Sequence, residues 1–193
     1  MSVRKAGWVY GLVAMGALFV GGCASGATAQ GMTVTPGEVS SPTPPEMTKS
    51  VAVDEVVGGR QTSAMDSSKI DNASFKQALV SSFVTAGLLG ESDAARYKVT
   101  ATLLQLEQPT GGIDMTVTSK IRYTVKDTKS GAVVFEEEIV ASHTAHLGDA
   151  AIGGTRLRIA TERSARKSIA SLIEKLKKAK LPAGDVALAA SAI

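Results

Sequence analysis

Cys23 is the only thiol in the chain, and it closes the stretch 17–24, ALFVGGCA, behind an apolar run and two glycines. A single leftover thiol either pairs between chains or is modified. The two histidines fall together as His143-Thr144-Ala145-His146, with Asp149 three residues on. Strand positions three apart face opposite sides, and a zinc centre needs three or four ligands with hydrogen-bonded support. These residues therefore read as polar groups at a strand end, and no metal is expected. Residues 148–158, GDAAIGGTRLR, set a glycine pair ahead of helical sequence, with Arg156 and Arg158 just beyond. That could cradle a small anion at a helix N-terminus. It lacks the Gly-Lys-Ser/Thr ending of a P-loop and the spacing of a dinucleotide fingerprint, so a plain connection is the simpler reading. Glu136, Glu137 and Glu138 are consecutive and alternate faces, so they do not converge for acid–base work. No serine sits in a nucleophile motif. No enzymatic activity and no cofactor are expected.

The start of the chain is more specific. Arg4 and Lys5 form a basic head; Ala6 to Val20 carry no charge; small residues follow. This is the pattern of a secretory signal over residues 1–22, and the run is short of the roughly 20 residues a spanning helix needs. Val20-Gly21-Gly22-Cys23 resembles the bacterial lipobox. The resemblance implies cleavage between Gly22 and Cys23, diacylation of Cys23 with palmitate-type chains as the mature N-terminus, and a further acylation after that. Two or more acyl chains hold a protein on a membrane without a spanning helix, whereas one binds marginally. Ala24 follows the cysteine. In Gram-negative lipoproteins an Asp there marks retention at the inner membrane, so its absence implies the outer membrane, facing the periplasm.

The formal charge is +3, and removal of Arg4 and Lys5 with the leader leaves 19 basic and 18 acidic residues. Charge this balanced gives no case for nucleic acid, and aromatics for stacking bases or sugars are scarce at 4%. The asymmetry is internal: nine basic residues lie between Arg156 and Lys180 against Glu162 and Glu174. Arg156, Arg158, Arg163, Arg166 and Lys167 could meet an anionic lipid, glycan or acidic protein. A solvated helix face with last-turn lysines at the dipole is the plainer alternative. Arg158, Glu162 and Arg166, four apart, could form a salt-linked row.

These residues need elements to position them. Residues 23–50 are rich in Ala, Gly, Thr, Ser and Pro, and such composition predicts a flexible tether. The domain is expected over 51–181, with a loose tail at 182–193. Valines at 51, 53, 56 and 57 before Gly58-Gly59 read as a strand. Phe75, Ala78, Leu79, Phe83 and Ala86 have helical spacing, with Asp71 or Asn72 as cap and Gly87 or Gly90 as stop. Tyr97, Val99, Ala101 and Leu103 alternate and then slip phase at Leu104, which predicts a bulge. From Ile113 to Val125 the alternation is continuous, and DTKSG turns the chain into a second, antiparallel run. There Glu136 and Glu138 could face Lys120, Arg122 or Lys126. Ala165, Ile169, Leu172, Ile173 and Leu176 mark a long helix over 156–180. One-sided strands with two amphipathic helices predict an α+β two-layer sandwich, βαβββα. Its four-stranded sheet is mixed and mainly antiparallel, with both helices on one face.

Signal, lipobox, tether and element order together resemble small Gram-negative envelope lipoproteins: the YajG-like, the lipopolysaccharide-assembly and the penicillin-binding-protein-activator kinds. The resemblance implies a non-enzymatic lipoprotein docking an envelope partner. The surface used would be the polar sheet face around Thr116, Thr118 and Lys120, or an exposed sheet edge.

Overall fold

The computed structural model describes residues 26–63, 67–179 and 181. The leader, Gly22, Cys23 and the tail 182–193 lie outside the described residues. The sheet is built from β1 (Val51–Val57), β2 (Tyr97–Glu107), β3 (Met115–Asp127) and β4 (Val133–Ala145). They lie in chain order, β1 and β2 parallel and the other neighbours antiparallel. In β3, Met115, Val117, Ser119, Ile121, Tyr123, Val125 and Asp127 are buried while the residues between them face outward. A sheet patterned this way buries one face. Helices α2 (Asn72–Thr85) and α3 (Gly153–Lys178) cover it. Phe75, Leu79 and Phe83 of α2 and Ala165, Ile169, Leu172, Ile173 and Leu176 of α3 join the inward strand residues in one core. The Tyr123 hydroxyl, at the centre, meets the Ser168 Oγ at 3.0 Å. Burial pushes its pKa up, away from ionisation. The chain thus forms the expected α+β sandwich with both helices on one face.

Local details follow the residue chemistry. Asp71 caps α2 by accepting from the Ser74 N–H at 2.8 Å, which supplies one of the orphan donors at a helix start. The β2–β3 register shifts between Leu103 and Gln105, so Leu104 is the bulged residue. Gly58 ends β1 at φ +83°, where a Cβ would strike the Leu103 carbonyl, and only glycine tolerates both conditions. Two boundaries differ from expectation. Ile113 stands outside β3 and is 71% exposed, because Gly111 and Gly112 leave residues 108–114 as a loop. Helix α3 begins at Gly153, three residues before Arg156.

The larger correction concerns residues 26–50. They are a packed strap, not a free coil. Ala27, Met32, Val34 and Met47 are buried in the main core, and a short helix, α1 (Ala29–Met32), lies against α2 and α3. Composition misled because few large apolar residues are needed when hydrogen bonds do the rest, and α3 supplies them. Glu162 Oε1 accepts from the Thr28 N–H at 2.9 Å and from its hydroxyl at 2.8 Å. Arg166 donates twice to the Gly31 carbonyl, at 3.0 and 2.6 Å, and Lys177 donates to the Ser41 carbonyl at 2.8 Å. Glu174 accepts from the Ser40 and Ser41 N–H groups and from the Ser41 hydroxyl.

The last contact makes the strap pH-sensitive. Hydrogen bonds from the Ser41 side chain and backbone pull the Glu174 pKa down from 4.5 to about 2. A depressed folded-state pKa gives stability that is present above the unfolded value and lost as pH falls through the folded one. Between pH 4.5 and 2 the strap should therefore weaken. Glu174→Gln should cost about 1–2 kcal/mol at pH 7, discounted for partial exposure, and little near pH 2. Thermal melts of both forms across that range measure this; an equal deficit at pH 7 and pH 2 contradicts it.

Candidate partner interface

The five cations singled out on α3 do not form one surface. Arg156 is buried, and its Nη1 donates to the Ala150 and Ala151 carbonyls at 2.7 and 2.9 Å. The Gly153-Gly154 segment is thus closed by its own arginine. Arg163 pairs with Asp149 at 2.9 Å and approaches His143 Nε2 at 3.4 Å. Lys167 donates to the Ser142 carbonyl at 3.0 Å. Arg166 holds the strap and lies 3.7 Å from Glu38. Among the described residues, Arg158 alone of the five makes no hydrogen bond or ion pair. The Arg158–Glu162–Arg166 row does not form, because Glu162 turns to Thr28 and Arg166 to Gly31. The excess positive charge is largely spent inside the molecule: Lys175 meets Glu137 and Lys178 meets Glu174.

His143 and His146 part as well. His143 packs under α3, where burial and then Lys167 and Arg163 lower its pKa. His146, in the loop after β4, meets Asp114 at 3.1 Å. Among the described residues no three of His, Cys, Asp or Glu converge on one point. The open sheet face is a cross-strand polar ladder. Thr116 meets Thr144 at 2.8 Å, Thr118 meets Ser142 at 3.1 Å, and Thr124 meets Glu136 at 3.2 Å. Glu138 takes both Lys120 at 2.7 Å and Arg122 at 2.5 Å. Of the pairings left open by the sequence, Glu138 with Lys120 and Arg122 is realised. The ladder satisfies itself and projects few free groups.

Among the described residues, two concavities bear on docking. One, of about 280 Å³, lies beside the β2 bulge among Gly58, Arg60, Lys69, Ile70, Leu103 and Ser119, just under the roughly 300 Å³ at which small-molecule sites begin. The other is an open groove of about 640 Å³ between α3 and β4, lined by Glu38, Val140, Ala141, Lys167, Ala170, Ser171, Glu174 and Lys175. It runs along the sheet's longer edge strand. Among the described residues β4 pairs with β3 alone, and the strand is 13 residues long. Such an edge presents alternate unpaired N–H and C=O groups. Its Ser142 carbonyl accepts from Lys167 of α3. Val140 on it is 62% exposed. The sequence showed a strand here; that it ends the sheet beside a groove depends on strand order.

No family model matches the chain, and no curated protein matches it. Solved structures do. Protein XCC0632 from Xanthomonas campestris, of the family model DUF330, superposes with a TM-score of 0.52 at 10% identity, over 80% of this chain and 94% of that one. A minor lipoprotein from Acinetobacter baumannii matches at a TM-score of 0.45 and 8% identity, over 70% and 97%. A PelC dodecamer from Paraburkholderia phytofirmans matches at 0.46 and 17%, over 68% and 90%. At 10% identity the first likeness is one of fold, an α+β sheet-and-helix class that this chain shares.

Proposed function

We propose that the protein is a non-enzymatic lipoprotein of the Gram-negative cell envelope, held on the periplasmic face of the outer membrane by acylated Cys23. Its β4 edge docks an extended segment of an envelope-assembly or transport partner. The anchor is supported by the leader and the Val20-Gly21-Gly22-Cys23 box; the location within the envelope is supported by Ala24. The observation that carries the docking role is the 13-residue edge strand lying open beside the α3 groove. Added strands gain main-chain hydrogen bonds along such an edge and specificity from neighbouring pockets. The dispersal of the five α3 cations among internal partners gives the basic helix no comparable claim as an anion-binding face.

A photocrosslinker at Val140 should give a defined adduct in intact cells, and one at Thr116 on the open sheet face should not. Glu138→Pro, adding a ring on the edge strand, should reduce a Val140 adduct by tenfold or more, about 1.4 kcal/mol of docking energy. An adduct unchanged by the proline, or seen from Thr116 instead, counts against edge docking.

A further inference from the structure

Seven large apolar side chains are exposed on the described surface, and three of them, Ile113 at 71%, Leu147 at 57% and Ile152 at 71%, share one end of the molecule. The last β3–β4 pair is Met115 with Ala145. Ile113 and Leu147 therefore stand two residues beyond it on adjacent loops. Those loops are joined by the Asp114–His146 contact at 3.1 Å. Ile152 caps the start of α3, and a Cβ on its neighbour Gly153 would lie 3.6 Å from the Met115 side chain. Arg156 fixes this third loop through the Ala150 and Ala151 carbonyls. Single exposed apolar residues need no explanation; three on converging loop tips, each held from behind by polar contacts, form a patch.

The N-terminal strap enters at the same end. Ala27 donates to the Lys69 carbonyl at 2.9 Å. The adjacent Ser68 carbonyl accepts from Gln108 Nε2 at 2.5 Å. Gln108 opens the loop that carries Ile113, and it also reaches Thr161 of α3 at 3.0 Å. Cys23 is three residues before Gly26, and three residues reach about 10 Å at most. A lipid on Cys23 cannot be far from this end.

We propose that this end is a membrane-contact surface: Ile113, Leu147 and Ile152 insert into the interfacial region of a phospholipid bilayer, so the domain stands on the membrane in one orientation. The inference rests on the acylation of Cys23 proposed above and adds an orientation to it. The occupant is a bilayer and not a second protein because the chain that follows the acylated Cys23 enters the fold at this same end, by Ala27 and Lys69. Apolar tips seated at the headgroup boundary add to an acyl anchor. The β3–β4 turn at 128–131 is at the other end of the sheet, since Tyr97 pairs with Asp127. From Asp127 to Met115 the strand covers roughly 40 Å at about 3.3 Å per residue. The β4 edge would then stand upright from the membrane, open to a partner along its length.

The test uses the full, natively processed protein in phosphatidylethanolamine/phosphatidylglycerol vesicles with brominated acyl chains. The one tryptophan, Trp8, is in the leader, so Ile152→Trp, Leu147→Trp and Ser130→Trp each give a single reporter. Intact mass establishes the acylated Cys23 of each sample. Strong quenching and a blue shift at 152 and 147, with neither at 130, is the expected result. Acylated protein with no quenching at 152 and 147, or with equal quenching at 130, overturns the orientation and leaves the anchor standing. A blue shift at 152 that grows with protein concentration in unquenched vesicles assigns the patch to a second copy and also overturns it. An unmodified Cys23 overturns both.

Discussion

Met32→Asp should destabilise the fold by about 4 kcal/mol or more, from the lost Met packing and an unpaired carboxylate in a core position. Met32 is fully buried, on α1 between α2 and α3. The loss is a large share of the 5–15 kcal/mol that holds a typical domain together. Gln30→Asp, on the exposed side of the same short helix, should change stability by under about 0.5 kcal/mol. Urea unfolding of the two variants beside the parent measures the difference. The contrast separates a structural strap from a spacer, because a spacer would tolerate both changes equally. It also bears on truncation: a form starting at Val51 would uncover the α2 and α3 surfaces that the strap packs against and remove the strap partners of Ser82, Glu162, Arg166 and Glu174.

Cys23→Ser should move the protein from the membrane fraction to the soluble one. A serine hydroxyl at the lipobox cysteine carries no acyl chain, and each buried methylene contributes about 0.8 kcal/mol. Two or more chains anchor a protein stably, so the shift should approach completeness and not a partial loss. Fractionation of cells, immunodetection and intact mass read the distribution and the processing; a serine variant that has lost residues 1–22 yet persists in the membrane pellet after a salt wash contradicts the acyl anchor. Retention through Ile113, Leu147 and Ile152 alone would be weak and reversible, so the two contributions separate in the same experiment.

The parts of this fold that were legible in the sequence are those governed by short-range periodicity. Alternation from Met115 to Val125, the phase slip at Leu104, the Asp71 cap and the Ala165–Leu176 stripe each depend on neighbours a few residues away, and each appears in the structure. The strap was not legible. Its anchors, Ala27, Met32, Val34 and Met47, have neither period, and the strap's partners are distant in sequence: Ser82 on α2 for Val34, and Glu162 on α3, 134 residues away, for Thr28. The same distance hid the fate of the basic helix. Arg166 and Lys177 read as free charge in one dimension and are donors to strap carbonyls in three. The open edge of β4 depends on strand order, and the converging tips at 113, 147 and 152 depend on which loops share an end, so both required the structure. The lipobox is the opposite case: four consecutive residues that are read by their chemistry, outside the described fold.

Membrane attachment rests on the state of one sulfur. Intact-mass measurement of the protein purified from envelope membranes tests it directly. A single species beginning at Cys23 and carrying two or three fatty-acyl chains is the predicted result; a free thiol at Cys23, or a chain still bearing residues 1–22, would contradict it.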